Sequence, residues 1–155
     1  MSTITYCDRA DLEAVWSAAA IARAVDDDED GVLSATEEGF ITTAIERAAN
    51  LMNALLAERY QLADLVGNDW CRDVNAVLAI YCLATRRGNT PSDEIARQYE
   101  SMMEDLRQIE AGRMRVPQVA ESLEATPTVS NFDTDLAAPR AKVRRLDQTS
   151  TGSQP

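Results

Sequence analysis

The chain has 155 residues, enough for one domain with a tail and too few for two full domains. Its 26 acidic and 15 basic side chains leave a net charge of −11, which disfavours non-specific attachment to nucleic acid or anionic membrane. It has no histidine, so a Ser–His or Cys–His triad cannot form within it, and with aromatics at 5% any core must be built from aliphatic side chains and alanine.

Taken in order, the punctuation residues mark out helices. Asp8 can cap a first short helix with Leu12, Val15 and Trp16 on one face, and Ser17 can cap a second over Ala18 to Val25. The run Asp26-Asp27-Asp28-Glu29-Asp30 then ends at Gly31, and its crowded carboxylates predict a loop. Ser34 with Glu37 three residues on has the form of a capping box. It opens what should be the longest helix, of about 25 residues, with Ile41, Ile45, Ala48, Met52, Leu55 and Leu56 at helical spacing up to Tyr60. Gln61 to Gly67 reads as a connector. Asp69 should cap the next helix, with Val74, Val77, Leu78, Tyr81 and Thr85 inward, ending near Gly88. Ser92 caps the last, whose stripe is Ile95, Tyr99, Met102, Leu106 and Ile109, ending at Gly112.

The expected fold is therefore all-α: a small bundle of four to five helices with a long central helix over residues 1–115, followed by an extended C-terminal arm over 116–155. In the arm, Pro117, Pro127 and Pro139 interrupt the chain, and Val129, Phe132, Leu136, Val143 and Leu146 are thinly spread. Charge is uneven as well. Residues 1–38 carry ten acids against two bases, whereas 139–146 carry Arg140, Lys142, Arg144 and Arg145 and no acid. Such opposites suit contact between unlike surfaces of neighbouring subunits, and the four basic residues are the candidate partner-binding set. Cys7, Cys71 and Cys82 offer no paired spacing for a disulfide framework or a thiolate zinc site. No basic stretch followed by an apolar run predicts a signal peptide, and no run of about 18 apolar residues predicts a membrane span.

One motif carries chemistry. Asp26 to Glu37 fits the calcium-loop pattern D-x-[DN]-x-[DN]-G-x5-E without a mismatch. Calcium takes six to eight hard oxygens. Asp26, Asp28 and Asp30 would supply carboxylates, Val32 a backbone carbonyl, Ser34 a hydroxyl or bridging water, and Glu37 a closing bidentate carboxylate, while Gly31 permits the turn. A single loop without a partner loop implies weak, structural binding of Ca²⁺. No phosphate loop, nucleophile elbow or acid–base cluster points to an enzyme. A free calcium-binding module of the EF-hand type is the alternative that this loop supports.

Four stretches in order resemble the Mu-like head–tail connector proteins of tailed bacteriophages, long catalogued as a domain of unknown function. They are Tyr6-Cys7-Asp8-Arg9-Ala10-Asp11-Leu12, the aspartate-rich turn from Asp26 to Leu33, the long helix ending Leu55-Leu56-Ala57-Glu58-Arg59-Tyr60, and a last helix with Arg97-Gln98-Tyr99-Glu100 and Leu106 to Arg113. The chain departs from the pattern at Gln98, where the family often has a charge, and at Ala63-Asp64-Leu65-Val66, where a proline-rich loop is common. The resemblance implies a structural adaptor without enzymatic activity. It would form a homo-oligomeric ring of about twelve copies, bound to the portal protein and to neck and tail proteins. DNA would pass through its channel without specific binding. Such a protein would be assembled in the host bacterial cytoplasm and reside in the virion, with no membrane contact.

Overall fold

Every helix begins where a side chain can accept from amides that the first turn leaves without partners. The computed structural model describes residues 3–122. Its helices are α1 (Arg9–Val15), α2 (Ala18–Val25), α3 (Ala35–Leu56), α4 (Asp69–Ala84) and α5 (Asp93–Glu110), with single 3-10 turns at Leu62–Leu65 and Arg86–Gly88. No strand occurs among the described residues, so the fold is an all-α bundle, as the periodicity predicts. Asp8 accepts from the amides of Ala10 and Asp11, and Asp11 accepts in return from the Asp8 amide. Ser17, Ser34 and Ser92 cap α2, α3 and α5.

Two boundaries differ from the sequence reading. Asn68, not Asp69, caps α4, accepting from the Cys71 amide at 3.1 Å. Either side chain can cap. With Asn68 extended, Asp69 becomes the first helical residue and its carboxylate pairs with Arg72 at 2.7 Å. Helix α3 has 22 residues and ends at Leu56, short of Tyr60. The Arg59 and Tyr60 amides both close on the Leu56 carbonyl at 3.0 Å in a final turn, and Tyr60 is buried there, its hydroxyl accepting from the Val116 amide at 3.0 Å. In the Ala63 to Val66 stretch, the 3-10 turn Leu62–Leu65 buries Leu65 and leaves Val66 exposed.

Helix α4 is the hub, packing against α1, α2, α3 and α5. All residues from Val74 to Ile80 are buried, so it has no wet face over two turns. Around it lie Leu12 from α1, Ile21 and Val25 from α2, Ile41, Met52 and Leu56 from α3, and Leu106 and Ile109 from α5. Ala48 and Ala49 on α3, with Ala76 and Ala79 on α4, add small side chains to this core. Tyr6 and Tyr60 are the buried aromatics among the described residues, which matches the aliphatic core expected from composition. Val15 does not join Leu12 inside; it is 46% exposed, because α1 ends there and Trp16 turns into extended backbone.

Two asparagines stitch the N-terminal lead-in to this core. Asn75, fully buried on α4, accepts from the Tyr6 amide at 3.0 Å and donates to the Ile45 carbonyl at 3.3 Å. Asn53 donates to the Ile4 carbonyl at 3.1 Å and accepts from the Tyr6 hydroxyl. At the other end, Gly112 (φ +72°) lets the chain reverse after α5, and a Cβ there would lie 2.5 Å from the Arg59 guanidinium. Residues 116–122 then fold back over the end of α3. Ser122 donates to the Arg59 carbonyl at 2.9 Å, Glu121 pairs with Arg59 at 2.7 Å, and Asn68 donates to the Pro117 carbonyl at 2.8 Å. The remainder of the expected arm lies outside the described residues.

Asn75→Ala strands the buried Tyr6 amide and removes the second bond to the Ile45 carbonyl, which keeps its helical partner, so it should lower unfolding free energy by roughly 1–3 kcal/mol with no change in helix content. Urea denaturation followed by circular dichroism measures this.

Candidate cation loop and its arginine clamp

The loop between α2 and α3 crowds carboxylates that repel one another, and its geometry gives most of them different donors. Gly31 (φ +77°) turns the chain, and its amide donates to Asp26 Oδ2 at 3.0 Å. The Val32 amide donates to Asp30 Oδ1 at 2.7 Å, and the Asp30 amide reaches Asp28 Oδ1 at a weak 3.4 Å. Asp26, Asp28 and Asp30 each place one carboxylate oxygen within 4.8 Å of the others. Asp26 Oδ1 is buried and has no hydrogen-bond partner among the described residues.

Glu37 is used differently. Its side chain is buried, and Oε1 accepts from the Asp27 amide at 2.6 Å. Oε2 accepts from the Ser34 amide at 2.8 Å and the Ser34 hydroxyl at 2.7 Å. These donors, the Asp27 amide first, hold its carboxyl below the usual carboxylate range. The carboxylate closes the loop on itself by joining the C-terminal end of α2 to the cap of α3. Of the six expected ligands, the structure therefore brings together Asp26, Asp28 and Asp30. Ser34 and Glu37 are bonded to each other, and Val32 is 69% exposed with its amide turned to Asp30. The expected partner-binding residues Arg140, Lys142, Arg144 and Arg145 lie outside the described residues.

The three gathered carboxylates suit a hard divalent cation, with carbonyls and waters needed to complete the shell. Asp28 carries the clearest mark of crowding. The Asp30 amide acts to lower its pKa, but partial desolvation and the charges of Asp30, Glu37 and Asp26 outweigh it, so the net direction is upward.

The sequence reading missed Asp27. It occupies a filler position of the motif, yet its carboxylate pairs with both Arg86 and Arg87 after α4. The Arg86 hydrogen bond above all lowers its pKa. Arg86 also donates to the carbonyls of Ala24 and Val25 at 3.4 Å and lies 3.7 Å above the centre of the Phe40 ring. In the sequence Arg86 and Arg87 read as cations at a helix C-terminus. A contact across about sixty positions leaves no local signal, although a fourth acid among the alternating aspartates was a hint.

A family model described as bacteriophage Mu, Gp36 matches residues 6–133, a span that takes in all five helices and the acidic loop. No curated protein matches the chain.

Glu37→Gln should lower the melting temperature by several degrees at pH 7, because a neutral amide accepts more weakly from the three donors. Glu37 has a folded-state pKa below its ordinary 4.5. Its contribution is therefore present above that value and lost as pH falls through the folded one. The gap between wild type and variant should narrow on acidification below about pH 4, which thermal melts across a pH series would measure.

Proposed function

Because the chain belongs to the bacteriophage Mu Gp36 family and is a phage structural protein, we propose that it is a head–tail connector of the virion. In this reading, copies assemble as a ring of about twelve beneath the portal protein and join it to neck and tail components. The observation that carries the reading is the family match over residues 6–133. Two features of the chain support it. Residues 116–122 are fixed against the end of α3, so the 33 residues from 123 to 155 depart from a defined point. Those residues include Arg140, Lys142, Arg144 and Arg145, which give a chain of net charge −11 a basic segment suited to an acidic neighbour. Acidic surface toward the channel would repel DNA and let it slide without specific binding.

A second proposal concerns the loop. Three carboxylate oxygens within 4.8 Å, one Asp26 oxygen buried without a partner, and the upward pKa of Asp28 favour a weakly held calcium ion with a structural role. The ion would relieve repulsion that the loop's own amides leave in place.

Mass determination and negative-stain imaging of the purified chain, alone and mixed with portal protein, test the connector. Rings of about a dozen copies are expected, and a monomer indifferent to portal would overturn the reading. A chain truncated after Ala125 should melt like the full chain yet fail to join particles; normal incorporation would remove the arm from the mechanism.

For the loop, millimolar calcium should raise the melting temperature by a few degrees. Asp28→Asn with Asp30→Asn should abolish that rise while preserving the ion-free melt, since an Asn oxygen can still accept from the Val32 amide. A calcium response that survives both substitutions would place the ion elsewhere.

A further inference from the structure

Beside the acidic loop lies a site of the opposite sign. Between α3 and the end of α4 the surface opens into a cleft of about 350 Å³ whose walls carry Arg47, Arg86 and Arg87 and no acidic residue. In a chain with 26 acids and 15 bases, three guanidinia around one small volume run against the composition. Phe40, Ala44 and Leu83 supply apolar wall between them.

The charge of this cleft is only partly neutralised. Asp27 pairs with Arg86 and Arg87 together, so one carboxylate offsets two guanidinia. Arg47 makes no ion pair among the described residues. Its field reaches another wall residue: burial pushes the Cys82 thiol pKa up, and the Arg47 charge opposes that. Arg87 is held at φ +61°, a region that side chains disfavour, and there its guanidinium meets Asp27 beside the cleft.

We propose that this cleft binds a carboxylate carried on an acidic polypeptide segment of another chain. Asp27 already shows the chemistry, since the same two arginines hold a carboxylate in the folded chain. A second carboxylate entering the cleft would meet Arg47 and the remaining donors of Arg87. The apolar wall of Phe40, Ala44 and Leu83 fits the methylenes of a Glu or Asp side chain, which inorganic phosphate does not offer. The net charge of −11 opposes a long, dense polyanion such as duplex DNA more than a short acidic segment. The site stands on residues within 3–122 and does not depend on the connector reading.

The test uses the full chain, titrated separately with a hexaglutamate peptide, inorganic phosphate and a short DNA duplex while backbone amide shifts are followed by NMR. The peptide should give saturable shifts confined to Phe40–Arg47 and Cys82–Gly88, and phosphate should move the same amides more weakly. Arg47→Ala, at an exposed and unpaired position, should weaken the peptide about fivefold. Arg87→Gly places there the residue type its backbone favours, so a matching loss with a native amide spectrum separates binding from folding. Shifts that do not saturate, an affinity in both variants unchanged from that of the unsubstituted chain, or tighter binding of phosphate or duplex than of peptide would each overturn the proposal.

Discussion

The arrangement depends on enclosing one helix. From Val74 to Ile80 helix α4 has no polar face, and such a segment is stable in water only when surrounded. Four helices do this, which fixes α4 as the axis and makes α1 and α2, too short to stand alone, pack beside it. The one polar side chain inside that segment, Asn75, is tolerated because both ends of its amide are bonded, one to Tyr6 and one to Ile45. The same residue thereby draws the N-terminal lead-in against the bundle.

From this axis follows the position of the loop. Helices α2 and α3 flank α4, so the residues joining them must cross near its C-terminal end, where Arg86 and Arg87 leave the helix. Asp27 meets both there, and Glu37 draws the two ends of the loop together. Exposed ion pairs contribute little on their own. Arg86 is more than that: its guanidinium is also stacked on Phe40 and bonded to the last carbonyls of α2, so one side chain joins three elements.

Much of the fold was legible because it is written in local chemistry. Asp8, Ser17, Ser34 and Ser92 each cap the helix that their position predicts, and the apolar spacing points to most of the buried face of α3 and to Leu106 and Ile109 of α5, whereas Ile95, Tyr99 and Met102 are only partly covered and Met103 is buried instead. What was not legible depends on distant partners. Tyr60, in the turn that ends α3, takes its partner from Val116, 56 positions away, and Val15 has the right spacing but no neighbour to cover it. In the loop, Asp26, Asp28 and Asp30 bring their carboxylates close together. Glu37 satisfies both a calcium pattern and a capping box, and the structure uses it as the box, because three fixed donors lie within reach of its carboxylate.

That double use shows how the loop's own donors hold so acidic a segment in one shape. Asp26 is bonded to Gly31, Asp30 to Val32, Asp27 to the arginines and Glu37 to Ser34, so each of these four repels its neighbours from a position already compensated. Asp28 keeps only a long contact and Asp26 keeps one idle oxygen, so the uncompensated negative charge gathers on one side of Asp27. On the other side Arg47 and the unshared donors of Arg87 leave positive charge over. Asp27 thus joins the acidic loop, of which it is part, to the arginines that line the cleft. Neither can cancel the other without breaking the pairing that positions both, and that leaves each open to a charged group from outside the chain.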